Sequence, residues 1–545
     1  MRFAHDRLAR VLEVFPETEE DRKRLAKIVG PVRYNRHSKA LIVPEFAAYS
    51  LERLPEAKPI LDSLQTEPVA EDPLALLDCP FVDRLYPFQR KAAHRMIDPG
   101  GFGLWLDCGT GKSPTIMAAY TALKAAGRVR GMIVLGPNVA SQIWTGEGSL
   151  LHEWTGEKGW EIKTGDRRYP PSEGVIFCSH SKTFRKPYQT WVEERIRSGL
   201  WILCIDEAQM IAGEMSRRFE VIRVWAQFAP WRWLASGTPV SNYPDSFRGL
   251  YSIMTRANFD PHAFQRWFKP SAAGGYVEKR LQDFGRILRR DSLRVTKSEA
   301  APWLPPRTNQ VLTVALKGRQ KDLYAEFVQQ GRVMLQSAEK EWSLKARGAF
   351  SELSRLTGLA THPGMLGDNC PDADIAKLET VRDLLKTTGN QKVVIWSWHP
   401  WVLDWIREML EVGCVVYHGK IREQEKKEAV RRFNTDPAVK VFLGNPSAAG
   451  TALSLGAGTV AVYWDMGWRW VDYFQAGERI DRITRTMPIT QYVLLGKGTI
   501  EEYMWEKVCL KIDLQALMFG TTPQEFSTMH WTPKEAWRVL NLWKG

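Results

Sequence analysis

Several features that would assign a chain to a common class are missing from this sequence. Its 7 cysteines include no C-x-x-C pair, which argues against a structural zinc site or a thiol redox motif. No apolar run approaches the roughly 18 residues that a membrane span needs. The first residues, MRFAHDRLARVLEVF, lack the apolar core of a signal peptide. We therefore expect a cytoplasmic protein with buried, reduced thiols and no membrane partner.

Length and charge bound the number of domains and the class of partner. The chain has 545 residues, of which 44% are hydrophobic, and a domain size of about 150 residues suggests three or four units. The formal net charge is +13. A basic excess favours an anionic partner, most commonly nucleic acid, although many basic proteins bind no polyanion.

Two parts of the chain, 76–255 and 346–510, alternate short apolar runs with helical stretches. The runs are GLWLD, GMIVLG, GVIFCS, WILCID and WRWLAS in the first part, and KVVIWS, CVVYH, VKVFLGN, VAVYWD and TQYVLL in the second. Continuous apolar runs are typical of strands that are buried on both faces. The pattern predicts an α/β fold with two tandem lobes, each a parallel sheet flanked by helices.

Three further segments lie outside these lobes. Residues 1–75 predict a small α+β accessory domain, in which 30–44 form two strands around a polar turn and a helix follows. Residues 256–345 predict a helical insertion, and its stretch 277–297 carries seven Lys or Arg against three acids. Residues 511–545 predict a helical tail.

A glycine-containing segment, GLWLDCGTGKSPTIM (103–117), lies between a predicted strand and a predicted helix. Glycines such as Gly109 and Gly111 let backbone N–H groups, here including that of Thr110, surround phosphates, and the helix N-terminus favours an anion. Lys112 can reach the β- and γ-phosphates of ATP, and the Ser113 hydroxyl can bind Mg²⁺. Leu106 stands where the general pattern begins with glycine, and an ordinary glycine turn is the alternative.

A pair of acids follows the buried strand in WILCIDEAQ (201–209). The carboxyl end of such a strand is where ligand sites of α/β proteins lie. Asp206 would hold Mg²⁺, and Glu207 would orient and deprotonate the attacking water. A helix-capping aspartate beside a solvated glutamate is the alternative.

These segments and several others resemble, in order, the motifs of superfamily 2 helicases and, among them, of the Swi/Snf-type DNA translocases. The resemblance covers roughly residues 84–505. Its motifs are LYPFQRKA (85–92), GPNVASQIW (136–144), CSHSK (178–182), DEAQ (206–209), LASGTP (234–239), LPPRT (304–308), NPSAAGTALSLGAG (445–458) and WDMGWRWVDYFQAGERIDRI (464–483). The chain departs from the family at 483–485, where Ile-Thr-Arg replaces a residue followed by Gly-Gln.

The resemblance implies two RecA-like lobes that use ATP and Mg²⁺. It places Gln89 at the adenine base, and it assigns to Ser236 and Thr238 the coupling of hydrolysis to lobe movement. It also implies that Gln475, Arg479 and Arg482 act on the phosphates from the second lobe. The two arginines are three residues apart, so on one helix they would face the same cleft; a solvated basic helix face is the alternative.

The resemblance also implies contacts to the DNA backbone, which carry no sequence information. The candidates in this sequence are Pro137, Asn138, Ser181, Lys182, Ser397, Gly450, Thr451 and Trp468. Two alternatives stay open for other residues. Arg289, Arg290 and Arg294 either contact DNA or pair with acids inside the lobe, and Trp398 and Trp468 either pack on sugar or buttress loops.

The implied function is ATP-dependent translocation along double-stranded DNA. Residues 28–44 resemble the small module of annealing helicases, which suggests forked or branched DNA. We expect a monomer that serves DNA replication or repair in a bacterial or phage-infected cell. The alternatives are a strand-separating DNA or RNA helicase and a nucleic-acid-binding protein with an inactive ATPase.

Overall fold

The computed structural model describes residues 1–6, 10–21, 23, 25, 33–35, 40–65, 79–213, 216–257, 259–270, 276–337, 353–448 and 453–521. Within them, seventeen strands form three sheets. The described residues divide into two compact units, the first comprising 1–302 and 513–521 and the second comprising 303–512. No helix of the described part is long and apolar enough to cross a membrane.

The first unit begins with a small antiparallel sheet of strand order β1-β2-β4-β3. Its strands are β1 (Arg2–Asp6), β2 (Val11–Phe15), β3 (Arg33–Asn35) and β4 (Ala40–Pro44). A 3₁₀ helix, Glu45–Arg53, and an α-helix, Lys58–Gln65, follow. The two strands predicted within 30–44 are therefore present, whereas the helix predicted directly after them has 3₁₀ geometry.

The main sheet of the first unit has seven parallel strands in the order β11-β5-β10-β9-β6-β8-β7. The strands are β5 (Gly100–Leu106), β6 (Gly131–Gly136), β7 (Trp160–Glu161), β8 (Gly174–Ser179), β9 (Trp201–Ile205), β10 (Trp231–Ala235) and β11 (Ser292–Val295). Every residue of β6, β9 and β10 is buried, as the continuous apolar runs predict.

Helices flank this sheet. They are Pro87–Met96, Lys112–Ala125, Ser141–Trp144, Leu150–Thr155, Tyr188–Arg197, Arg217–Phe228, Arg248–Thr255, Pro261–Phe268, Glu278–Arg290 and Lys297–Ala300. Leu12 and Val14 of the small sheet belong to the same apolar core as strand residues such as Ile133 and Leu203. The small sheet and the main sheet of this unit are therefore stabilised together.

The second unit contains a six-stranded parallel sheet in the order β12-β17-β16-β13-β15-β14. Its strands are β12 (Arg307–Ala315), β13 (Lys392–Trp396), β14 (Cys414–Tyr417), β15 (Val441–Gly444), β16 (Gly458–Tyr463) and β17 (Ile489–Lys497). The helices are Gly318–Ser337, 353–361, Ala376–Thr387, Pro400–Met409, Glu423–Thr435, Trp470–Gly477 and the first part of Ile500–Phe519, whose residues from 513 onward belong to the first unit. Both parallel sheets agree with the predicted α/β fold.

The described part of residues 256–345 is largely helical, as predicted, but it also contains the strands β11 and β12, which the sequence did not predict. β11 has only four residues and lies among basic side chains. β12 pairs on one side only, with β17, and its half-buried residues alternate with exposed ones. Edge strands of this kind lack the continuous apolar run from which the other strands were predicted. Of the predicted tail, residues from 522 onward lie outside the described residues.

A buried ionic cluster joins the N-terminal segment to the main sheet of the first unit. Glu45 is fully buried and lies 3.0 Å from Arg10 and 2.7 Å from Arg290. The Tyr251 hydroxyl donates to the same carboxylate at 3.2 Å. Arg10 also lies 2.8 Å from Asp291, directly before β11. Because buried charges are costly unless they are paired, these contacts hold the N-terminal segment in one position.

The second unit has a buried ion pair of its own. The Lys377 ammonium lies 2.7 Å from Oε1 of Glu501 and donates to the Trp464 carbonyl at 2.7 Å. The other Glu501 oxygen accepts the N–H of Gly496 at 2.7 Å. Burial raises the pKa of Glu501, and Lys377 opposes that rise. This pair joins two helices to the carboxyl ends of β16 and β17.

Removing the cation of this pair should destabilise the second unit. We expect Lys377→Met to lower its free energy of unfolding by about 3–5 kcal/mol, because Glu501 is left buried without a counter-charge. Unfolding in urea, monitored by tryptophan fluorescence, measures this change. Lys386→Met is the matched control, since Lys386 lies on the same helix in an exposed pair with Asp383. Equal stabilities of the two variants would contradict the prediction.

Candidate nucleotide and nucleic-acid site

The predicted phosphate loop lies between β5, which ends at Leu106, and the helix that begins at Lys112. Gly109 and Gly111 have φ angles of +80° and +87°, a region that other residues enter only with strain. A Cβ at Gly111 would also collide with the side-chain amide of Gln89. The loop therefore requires glycine at both positions, and the backbone curvature that a phosphate needs is present.

Hydrogen bonds hold both ends of the loop. The Asp107 carboxylate accepts from the Arg294 guanidinium at 2.6 Å and from the N–H of Lys297 at 2.8 Å. The Thr110 hydroxyl donates to the Asp107 carbonyl at 2.7 Å. Arg294 thus pairs with an acid inside the first unit, one of the two alternatives left open by the sequence. Arg290 does the same with Glu45, while Arg289 is exposed.

Gln89 connects the loop to the start of a neighbouring helix. Its amide nitrogen donates to the Thr110 carbonyl at 2.9 Å, and its amide oxygen accepts the N–H of Tyr86 at 2.8 Å. The second bond caps the helix Pro87–Met96, in which Gln89 is the third residue. The side chain expected at the adenine base therefore lies beside the phosphate loop, with its position set by main-chain groups.

Lys112 and Ser113 begin the helix that follows the loop. The Lys112 ammonium donates to the Leu106 carbonyl at 3.1 Å. Burial by itself lowers the pKa of Lys112, but Cys108, Glu207 and the other acids nearby raise it, and the net shift is upward. The lysine is therefore a cation at neutral pH. Ser113 is half-buried beside it.

The acidic pair follows β9, in the same sheet as the strand that precedes the loop. Asp206 accepts from the Trp144 indole at 3.4 Å and from the N–H of Glu207 at 3.0 Å. Burial raises the pKa of Asp206 to about 6, and the neighbouring Glu207 adds to the rise, while Lys112 opposes it. Two buried acids in this state fit a divalent cation, whose charge would favour the ionised carboxylate.

The predicted metal ligands have oxygen atoms of the kind that suits Mg²⁺. A carboxylate from Asp206 and a hydroxyl from Ser113 are hard oxygen ligands. Among the described residues, no group of three or more His, Cys, Asp or Glu could hold a metal ion. Mg²⁺ at this position would therefore take its remaining ligands from phosphate oxygens and water, as is common for nucleotide-bound Mg²⁺.

A continuous hydrogen-bond chain leads from Glu207 to the predicted coupling residues. The Gln209 amide donates to Oε2 of Glu207 at 2.7 Å, and the Ser236 hydroxyl donates to the Gln209 oxygen at 2.6 Å. The N–H of Thr238 donates in turn to the Ser236 hydroxyl at 2.9 Å. All four residues are buried. Sequence reasoning expected Ser236 and Thr238 near the acids but did not identify Gln209 as the link.

His180 is a site residue that sequence reasoning missed, although it lies inside the CSHSK motif. It is buried, and its Nε2 lies 3.0 Å from the Asp206 carbonyl. Burial lowers the pKa of His180 to about 4, so the ring is neutral near pH 7. Because a carbonyl oxygen only accepts, the proton is on Nε2, which donates to Asp206.

The predicted DNA contacts of the first unit follow two adjacent strands. Pro137 and Asn138 follow β6, Ser181 and Lys182 follow β8, and the strands pair with Gly136 opposite Ser179. Asn138 and Ser181 are exposed and Pro137 is half-buried. Lys182 differs from the prediction, because its ammonium is buried and donates to the Ile162 carbonyl. Its charge supports the loop instead of facing solvent.

In the second unit, two predicted DNA contacts can be placed. Trp468 is 40% exposed, with its ring 6.2 Å from that of Tyr503. Ser397 does not face solvent, contrary to the prediction: it is fully buried and its hydroxyl donates to Asp465 at 2.5 Å. Gly450 and Thr451 lie outside the described residues.

Trp398 is half-buried, and its indole packs against Gly467, where a Cβ would lie 2.9 Å from the indole nitrogen. The main-chain carbonyl of Trp398 accepts from the Asn445 amide at 2.9 Å. These contacts fit the buttressing alternative. Asn445 also begins the loop that contains the predicted glycine contact, so the loop and the strand end are tied together.

The expectation that Arg479 and Arg482 lie one turn apart on a helix is wrong. The helix that carries Gln475, Trp470–Gly477, ends before both arginines. The last residue of this helix, Gly477, packs closely on Tyr463 and Gln491, and a Cβ there would lie within 3.0 Å of their polar atoms. Both arginines therefore follow a residue whose position is fixed by close packing.

Arg307 contacts the turn that follows this helix. The Arg307 guanidinium lies 3.3 Å from Glu478 and 3.3 Å from Asp481, and both acids are buried. Arg307 was not among the predicted site residues. Arg479 is buried in the turn, and Arg482 is half-buried and donates to the Leu453 carbonyl.

Two family models match the chain. The SNF2-related domain matches residues 170–365, which include both acids and the coupling residues, and the Helicase conserved C-terminal domain matches residues 376–484, which include Gln475 and both arginines. The phosphate loop lies before the first matched residue.

Curated relatives carry the same type of domain. "Chromodomain-helicase-DNA-binding protein 1-like" from Danio rerio is 25% identical over 335 residues, which are 58% of this chain and 32% of that protein. "SWI/SNF-related matrix-associated actin-dependent regulator of chromatin subfamily A member 1" from Homo sapiens is 22% identical over 68% of this chain and 38% of its own length. "DNA repair and recombination protein RAD54-like" from Gallus gallus is 21% identical over 76% and 62%. The chain thus spans about a third of the length of the first two relatives.

Among solved structures, "Sulfolobus solfataricus SWI2/SNF2 ATPase core in complex with dsDNA" aligns with 84% of this chain and 94% of that chain. The identity is 20% and the TM-score is 0.37, too low to add to the assignment. The two family models, which follow each other in order, and the relatives support one conclusion. The chain carries an SNF2-related domain followed by a helicase conserved C-terminal domain, and over most of its length it is similar to a SWI/SNF-related protein.

Proposed function

We propose that this protein is an ATP-dependent translocase on double-stranded DNA, which couples ATP hydrolysis to movement along DNA. The observation that carries the proposal is the hydrogen-bond chain from Glu207 through Gln209 and Ser236 to Thr238, beside a glycine phosphate loop with a cationic Lys112. A nucleotide site that is rigidly connected to a second motif can pass its state to another part of the protein.

The roles in hydrolysis follow from the chemistry of each group. The loop backbone and Lys112 bind the β- and γ-phosphates, and Ser113 and Asp206 would hold Mg²⁺. When bound, the metal neutralises charge that develops on the phosphates. Glu207 orients the attacking water and accepts its proton. The Gln209 amide holds one carboxylate oxygen of Glu207, which leaves the other oxygen to act on water.

From the second unit, we assign Arg479 and Arg482 as the cations that stabilise the transition state, with Gln475 nearby in sequence. Arginines in this role contribute a factor of about 10³–10⁵ in rate. Their position beyond the end of a helix puts them in a turn, whose shape Arg307 maintains through Glu478 and Asp481.

We propose that the DNA backbone is held by Pro137, Asn138 and Ser181 in the first unit, and by Trp468 with the glycine loop of Gly450 and Thr451 in the second. Lys182 and Ser397 act indirectly, by supporting the loops that carry these contacts. Duplex DNA is the proposed partner, in line with relatives whose names include DNA-binding and DNA repair.

We also propose a biological role for this protein. Its substrate is forked or branched DNA, it acts as a monomer, and it serves DNA replication or repair in a bacterial or phage-infected cell. The relatives named above come from animals, so they do not support a bacterial or phage origin.

Two substitutions test the assignment of the nucleotide site. We expect Glu207→Gln to lower ATP turnover by about 10²–10⁴-fold, because the amide accepts no proton, and Lys112→Ala to abolish it. Phosphate release with saturating duplex DNA measures turnover, and fluorescence anisotropy should show DNA binding largely intact. Lys124→Ala is the control, since Lys124 lies in the last turn of the same helix and pairs with Glu157. Normal turnover in either site variant would refute the assignment.

The choice of polymer tests the substrate class. We expect duplex or forked DNA to raise the ATPase rate above the rates with single-stranded DNA, RNA or no polymer. A triplex-displacement assay beside a strand-displacement assay then separates translocation from unwinding: the proposal requires release of the third strand without separation of the duplex. Duplex separation without triplex release would favour the strand-separating alternative.

A charge substitution tests the backbone contact. We expect Asn138→Asp to weaken binding to all duplex sequences equally, because it places a carboxylate beside phosphates. The logarithm of wild-type affinity should fall linearly with the logarithm of salt concentration, with a slope of about 0.9 per phosphate contact. Thr190→Asp adds the same charge at an exposed position on the helix Tyr188–Arg197 and should bind as wild type does. An affinity that does not change with salt would contradict the phosphate contacts.

A further inference from the structure

His180 touches three strand ends of the first unit at once. It directly follows β8, its N–H donates to the carbonyl of Gly136 at the end of β6 at 2.9 Å, and its ring donates to the carbonyl of Asp206 after β9 at 3.0 Å. The next residue, Ser181, is exposed, whereas His180 is 3% exposed. The loop therefore has one face toward solvent and one toward the carboxylates.

The His180 ring donates to the peptide that joins Asp206 to Glu207, and the backbone of Glu207 has an uncommon conformation. Glu207 has a φ of 50° and a ψ of 52°, a left-handed conformation that a residue other than glycine keeps only when its surroundings enforce it. The peptide between Asp206 and Glu207 is held on both sides: its carbonyl accepts from His180, and its N–H donates to the Asp206 carboxylate at 3.0 Å. The orientation of this peptide sets the direction in which the Glu207 side chain leaves the backbone.

We propose that His180 is a positioning residue that couples DNA binding to the orientation of Glu207. The inference rests on the proposed function, because it requires that Ser181 and the Pro137–Asn138 turn bind the DNA backbone. Phosphates that bind there would shift the ends of β6 and β8 together, since the His180 N–H joins them. The imidazole transmits that shift to the Asp206 carbonyl, and the Glu207 carboxylate moves into line with the attacking water.

If His180 served only to pack the loop, its replacement would lower thermal stability and leave the stimulation of the ATPase by DNA unchanged. Its Nδ1 is buried and has no hydrogen-bond partner among the described residues, so an apolar side chain of similar size would avoid the cost of that unsatisfied nitrogen. In the leucine variant this gain offsets the loss of the bond to the Asp206 carbonyl, so thermal stability should stay close to that of the wild type. Loss of coupling without loss of stability is what distinguishes positioning from packing.

Three substitutions at one position test the proposal. His180→Leu removes the donor, His180→Gln keeps an N–H at about the reach of Nε2, and His180→Asn keeps an amide that is too short to reach. Steady-state ATPase rates with and without saturating duplex DNA give the stimulation ratio, kcat and KM for ATP. Anisotropy gives the Kd for DNA, and thermal melting gives Tm.

We expect His180→Leu and His180→Asn to lower the DNA-stimulated kcat by about tenfold, the rate equivalent of one hydrogen bond. KM for ATP, Kd for DNA and Tm should stay close to wild type, and His180→Gln should recover most of the stimulation. If His180→Leu fails to fold, the comparison of His180→Gln with His180→Asn decides alone.

Two results would overturn the inference. One is wild-type stimulation in the leucine or asparagine variant, and the other is a glutamine variant that is no better stimulated than asparagine. Either result leaves the proposed function intact as long as the wild-type ATPase responds to duplex DNA. A wild-type chain whose ATPase ignores DNA would overturn both.

Discussion

Parallel strand pairing is the constraint on which the rest of the first unit depends. In a parallel sheet, all carboxyl ends lie at one edge, so loops that are far apart in the chain meet there. β5 ends in the phosphate loop, β9 in the acids, β10 in the Ser236–Thr238 segment, and β6 and β8 in the predicted DNA contacts. The order β5-β10-β9-β6-β8 puts the acids between the glycine loop and the predicted DNA contacts.

The buried acids of this protein are of two kinds: some are paired with a cation, and two lie next to each other. Glu45, Asp107 and Glu501 are each held by at least one close cation, and each pair fastens one segment to another. Asp206 and Glu207 are buried next to each other, and burial, with the adjacent charge of Glu207, raises the pKa of Asp206 although Lys112 opposes the rise. Adjacent buried acids of this kind are the arrangement from which the proposed Mg²⁺ site was argued.

Hydrogen bonds of neutral groups connect the parts of this edge. Gln89 joins a helix to the phosphate loop, Gln209 joins Glu207 to Ser236, and His180 joins the β6 and β8 ends to Asp206. Each of these side chains is buried and makes bonds of defined direction. Such bonds are suited to passing a change in geometry from one loop to the next, because a buried donor that loses its acceptor is strongly disfavoured.

The sequence by itself determined the two α/β lobes, the glycine loop between β5 and its helix, and the acidic pair at the end of β9. These features are local: continuous apolar runs, glycine spacing and strand-end acids act within about ten residues, and physical chemistry ties each to one structure. Only the tertiary structure decided the edge strands β11 and β12, the burial of Lys182 and Ser397, and the end of the helix before Arg479. Each of these depends on a partner distant in the chain, such as Ile162, Asp465 or Arg307. A residue pattern specifies what a side chain can bond to, but the packed fold specifies which partner is within reach.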